Sequence, residues 1–184
     1  MRAVLTLAMV CSGLGCGGGG GGGGGGGSSA IDMAGGGSGG CTVTLSGSVS
    51  GTGTCLVTAA YDPTSSTPGV AFEINANTSP AFTFGGLLSS SNNFVDGVSY
   101  TQANVVNAAG AITMGTAAWQ VVIHNVNGMP DQGTFALDIS SAGAPVSNGS
   151  GAMDWLSSHG TLNATMPADT GSTATGTVTA QASF

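Results

Sequence analysis

The sequence predicts an all-β domain over residues 41–184, an antiparallel, jelly-roll-like β-sandwich of about nine short strands. Three observations predict it. Apolar residues alternate with Ser, Thr and Asn at a period of two. Clusters of Gly, Pro, Asn and Asp punctuate these runs at short intervals. Charged helix formers are almost absent, with one Lys or Arg and eight carboxylates in the whole chain. A soluble barrel of about eight or nine strands is the alternative. A membrane barrel is disfavoured, because the strands are short and lack aromatic girdles.

Residues 42–49 set Val43, Leu45 and Val49 on one face and Thr42, Thr44, Ser46 and Ser48 on the other, a half-buried strand. Residues 51–53 (Gly-Thr-Gly) read as a turn, and 54–61 as a second strand carrying Cys55. After a Pro/Gly loop, residues 70–76 point Val70, Phe72 and Ile74 inward and Glu73 outward. Residues 77–80 turn, and 81–88 place Phe82 and Phe84 on one face. Residues 89–93 read as polar loop, and 98–106 as a weaker strand. The most apolar stretch, 117–126 with Trp119, reads as a central strand. Asn127-Gly128 with Pro130-Asp131 reads as a hairpin-type connection to a strand at 133–140. Residues 141–150 read as loop, and 153–158 are ambiguous, with one helical turn as the reading. Strands at 160–166 and 175–184 close the chain.

The N-terminal 40 residues are of another kind. Met1-Arg2 is a minimal positive region, and residues 3–10 form an apolar run too short to span a bilayer. Small residues lead to Cys16, so residues 1–15 read as a secretory signal peptide. Residues 16–40 hold eleven consecutive glycines and a second Gly/Ser run. Glycine has no side chain to bury and the most backbone entropy to lose, so this stretch is expected to stay a coil. From residue 17 to 40 its r.m.s. span is roughly 27 Å, and about 80 Å fully extended. A neutral glycine expansion of no selected length is the competing explanation.

Cys16 with Leu14 and Gly15 before it, followed at once by glycines, resembles the loosened lipobox of small Gly-rich envelope lipoproteins of myxobacterial type. Leu14 sits one place nearer the cysteine than in the usual pattern. The ending HGTLNATMPADTGSTATGTVTAQASF is similar in texture to the tails of such proteins, to which no activity attaches. The resemblance implies cleavage before Cys16, a lipid on that cysteine and a membrane partner through it. Gly17 in place of Asp implies outer-membrane sorting, by analogy with enteric bacteria. Plain secretion is the alternative. On this reading Cys11 leaves with the signal, and Cys41 and Cys55 remain as a pair for a disulfide in an oxidising compartment. Two free thiols are the other outcome.

Charge narrows the functions further. Past Arg2 there is no Lys or Arg, so no basic patch exists to neutralise phosphate, and nucleic acid is not an expected partner. His124, His159 and Asp154 could serve a hydrolase, but no G-x-S-x-G elbow accompanies them. His124 reads as a partly buried strand residue between Val122 and Val126. The histidines have no zinc-ligand spacing, and Asn125, Asn127 and Asp131 fit a calcium loop only in part. No metal or cofactor is expected. Trp119 reads as core, while Trp155 and Tyr61 are candidates for exposed ligand contacts, with packing as their competing role. The sequons at Asn77, Asn148 and Asn163 read as chance. The expectation is thus a lipid-anchored envelope protein, not an enzyme, with a structural, adhesive or ligand-binding domain and a glycan or protein partner. A carbohydrate-binding module is the alternative, and a hydrolase the third.

Overall fold

A computed structural model describes residues 40–63, 68–89, 94–124, 128–147, 151–155 and 157–184. The signal segment, Cys16, the glycine tract, Asn125, Asn127 and Asn148 lie outside the described residues. Residues 40–184 are all-β, with every named pairing antiparallel and no α-helix among the described residues.

The described strands are β1 (Thr42–Gly47), β2 (Gly51–Tyr61), β3 (Val70–Ala76), β4 (Phe82–Ser89), β5 (Val98–Thr101) and β6 (Asn107–Met114). There follow β7 (Ala117–Ile123), β8 (Thr134–Ser141), β9 (Pro145–Ser147), β10 (Met153–Trp155), β11 (His159–Pro167) and β12 (Thr177–Ser183). They pair in the order β5-β8-β11-β12-β1-β2-β3-β4-β6-β7. The eleven-residue β2 joins the two layers of the sandwich. Its first part pairs with β1, from Thr42 opposite Thr54 to Leu45 opposite Gly51. Its second part pairs with β3, from Cys55 opposite Ala76 to Tyr61 opposite Val70. Its last three residues also receive β10, which carries β9 on its far side.

The first sheet is therefore β5, β8, β11, β12, β1 and the start of β2. The second is the rest of β2 with β3, β4, β6, β7 and the β9–β10 pair. At the far end of the path β7 returns to the first sheet. Val122 and Gln132 exchange two backbone hydrogen bonds of 2.8 Å, and the Asp169 amide donates to the Ala118 carbonyl at 2.9 Å. The sheet thus curls until one side of the sandwich is closed.

Alternation explains the core. Val43 and Leu45, Phe72 and Ile74, Phe82 and Phe84, Leu137 and Ile139, and Leu162, Ala164 and Met166 are all buried. Each large side chain so placed contributes about 1.5–3 kcal/mol relative to exposure. Phe84 of the second sheet meets Phe135 of the first with ring centroids 5.1 Å apart. Trp119 is buried as expected and donates its indole N–H to the Thr175 carbonyl at 3.2 Å.

Several expectations are corrected. The described strands number twelve rather than about nine. Residues 51–53 belong to β2 and are no turn; the chain reverses at Gly47 (φ 102°), where the Ser48 amide bonds to the Thr177 carbonyl. Gly51 and Gly53 lie beneath the loop at 77–80, and a side chain on Gly53 would run into the backbone of Asn77 and Thr78. The strand expected at 98–106 stops at Thr101, where the Asn104 side chain accepts from the Thr101 amide (2.7 Å) and donates to the Ser99 carbonyl (2.8 Å). β6 was not anticipated, because NAAGAITM carries small residues on both faces and shows little alternation. β7 ends the sheet path instead of lying at its centre, and it and β8 belong to different sheets, so no hairpin ladder joins them. The 141–150 loop contains β9, and Met153–Trp155 is a strand in place of a helical turn.

Candidate functional site

Two features on the described surface could meet a partner. The first is a cleft of about 530 Å³ at one end of the sandwich. It is built by β10, whose pairing sets Trp155 opposite Ala59 and Met153 opposite Tyr61. Positions two apart share a face of a strand, so Trp155 and Met153 both turn toward the interior. Trp155 meets Phe94 edge-on, with centroids 5.3 Å apart. These rings form the floor, with Met153, Pro145 and Gly143 around them. On the rim, Asp96 accepts a hydrogen bond from the Ala142 amide at 2.7 Å, tying the segment before β5 to the end of β8.

Beneath the floor the aromatic packing continues. Phe94 lies 6.5 Å from Tyr100 in a nearly parallel stack and 6.4 Å from Phe72, which touches Phe184. The Tyr100 hydroxyl is the one buried side-chain polar atom among the described residues with no hydrogen-bond partner. Burial raises its pKa, since the phenolate would be left without water.

The ligand candidates Tyr61 and Trp155 come to the same face of the β2–β10 pair. Trp155 is only 5% exposed, however, and Tyr61 is packed against the core. They do not form an exposed aromatic platform. Trp155 was open to an exposed reading because its neighbours are small and polar; the missed signal is its spacing of two from Met153 and the lone Phe94 in a polar stretch.

The catalytic candidates do not assemble. Asp154, opposite Ala60, takes the face of β10 away from Trp155, whereas His159 begins β11 opposite Ser141 and is exposed. Among the described residues no hydrogen bond joins their side chains. His124 is neither buried nor in a strand: it has φ 60°, is exposed, and its Nδ1 lies 3.1 Å from the Val106 carbonyl oxygen. Left-handed backbone ends β7 at Ile123 and turns this ring out of the alternation. Among the described residues no three His, Cys, Asp or Glu side chains come together as metal ligands would. Cys41 and Cys55 form the disulfide, with Cα atoms 4.9 Å apart.

The second feature is the outward face of the first sheet. One rank across it runs Thr54, Thr42, Ser183 and Thr161. The next runs Thr52, Thr44, Gln181 and Asn163. A third runs Ser46, Thr179, Thr165 and Thr134. All are exposed except the half-buried Thr179. Asp138 is the only charged residue on the β8 edge of this face, and Ser99 donates to it at 2.5 Å.

Comparison of the chain with protein-family models, curated proteins and solved structures gives no match.

Proposed function

We propose that the protein is a cell-envelope lipoprotein that displays a non-enzymatic β-sandwich with a structural, adhesive or ligand-binding role. The lipid sits on Cys16, residues 17–40 serve as the leash, and residues 41–184 are the displayed domain. The observation that carries this reading is the Cys41–Cys55 disulfide. Such bonds persist in oxidising compartments outside the cytoplasm. With that pair joined and Cys11 removed with the signal, Cys16 is the cysteine left for the lipid. The want of Lys and Arg beyond Arg2 further supports a partner other than nucleic acid.

Mass spectrometry of the mature N-terminus tests it. The expected result is a first peptide beginning at Cys16 and carrying acyl chains, with the protein partitioning into detergent and moving to the aqueous phase in Cys16→Ser. An unmodified peptide beginning elsewhere would overturn the anchor.

A further inference from the structure

We infer that the outward face of the first sheet is a docking surface for neutral polysaccharide chains. This names the partner class of the displayed domain, and it rests on the binding role proposed above but not on the anchor.

The ranks of hydroxyl and amide groups are not simply what a charge-poor chain puts on every exposed strand. The outward positions of the second sheet hold Ala71, Gly85, Ala109, Ala111 and Ala118 among others. The same composition thus yields a face of small residues on one layer and a hydrogen-bonding face on the other.

The groups on the first sheet are also uncommitted. Among the described residues, no hydrogen bond links the side chains of the Thr54 and Thr52 ranks to one another. A Thr or Ser hydroxyl donates once and accepts twice, and Asn and Gln amides do both. A sugar hydroxyl has the same double capacity, so pairing can be made in either direction along a chain of sugars.

Charge decides among partners. The formal net charge is −7, which disfavours polyanions. The face itself offers a cation little beyond Asp138, which Ser99 already engages. A second copy of the chain would find no large apolar side chain in the two central ranks to bury. An uncharged, hydroxyl-bearing polymer remains.

Geometry points the same way. Neighbouring strands stand about 4.8 Å apart and ranks two residues apart are about 6.8 Å apart. The face therefore repeats in two directions, and many weak bonds can act together on one chain. Sheet twist rotates each strand by roughly 20–25° from the last. A flexible polymer follows that twist, whereas a rigid planar lattice such as ice meets only a few strands.

Native affinity electrophoresis of the oxidised full-length chain tests the proposal, with dextran, laminarin or glucomannan cast in the gel. Retardation by at least one neutral polysaccharide is expected, unchanged at high salt and absent with alginate. Thr44→Glu with Asn163→Glu should weaken it at least tenfold, and Asn75→Glu with Thr113→Glu on the second sheet should leave it intact. Circular dichroism checks folding, and the milder Thr44→Ala with Asn163→Ala gives a graded loss should the charged pair misfold. No retardation by any neutral polysaccharide, or equal retardation of the face variants, would overturn the proposal. So would finding that the same variants abolish dimerisation or ice adsorption instead. Because the assay needs no lipid, failure of the anchor is read separately, at the mature N-terminus.

Discussion

Cys41 and Cys55 are joined twice. Beside the disulfide, the Cys55 amide donates to the Cys41 carbonyl at 3.0 Å, one position outside the Thr42–Thr54 pair of the β1–β2 ladder. The covalent link closes a loop with a sequence separation of 14. Replacing both cysteines by Ser should therefore cost about 3 kcal/mol while the backbone bond preserves the fold. Denaturant midpoints measure this, and reduction of the wild type should reproduce the shift. An unchanged midpoint in both would contradict it.

Phe84 and Phe135 carry contact between the two layers. Phe84 has no exposed surface, so Phe84→Ala should cost about 3–5 kcal/mol through lost burial and the cavity left behind. Phe84→Leu should recover much of this. Urea unfolding of the two variants gives the comparison, and equal losses would argue against a cavity.

Gly53 is small for a steric reason. A Cβ there would stand 2.9 Å from the Thr78 amide nitrogen and closer still to the Asn77 carbonyl. Thr78 is itself buried, with its hydroxyl bonded to the Pro80 carbonyl at 2.6 Å, so the loop has little room to give. Gly53→Ala should destabilise by about 1–3 kcal/mol. Gly97→Ala makes a useful contrast: its added methyl meets open space, and its cost would come from the positive φ alone.

The unpartnered Tyr100 hydroxyl predicts an effect of pH. Its pKa is raised by burial above the ordinary phenol value of about 10. The folded state then holds the proton more tightly than the unfolded chain. This contribution is complete below about pH 10 and is lost as pH rises through the raised value. Tyr100→Phe should flatten the alkaline fall in stability. At neutral pH it should be neutral to about 1 kcal/mol stabilising, because it removes a buried group with no partner. Thermal melts across the alkaline range decide this, and a strongly destabilised variant at neutral pH would reveal a hidden partner for the hydroxyl.

The legible part of the fold was the part governed by alternation. Phe72 and Ile74, Phe135 and Leu137, and Leu162 and Met166 announce their strands because a large apolar side chain recurs at every second position. β6 escapes that logic: Ala108, Gly110 and Ala111 fit tight spaces on either face, and only the neighbours β4 and β7 make a strand of them. β9 and β10 are three residues each and exist through the tail of β2. The cleft floor was illegible for the same reason. Phe94 and Trp155 lie far apart in sequence, and their edge-on meeting depends on the β2–β10 pairing. The hydroxyl ranks were visible strand by strand in Thr42 and Thr44, but their alignment across four strands required the register.

The place of β2 in both layers has a mechanical consequence. A pull applied at Cys41 acts along the axis of β1, which is flanked by β12 and β2. Both ladders are then loaded in shear, so their hydrogen bonds must yield together instead of one after another. The disulfide passes part of the load straight into β2, and through it into the second sheet. The domain is thus built to resist force from its N-terminal side, with the two layers sharing the strain.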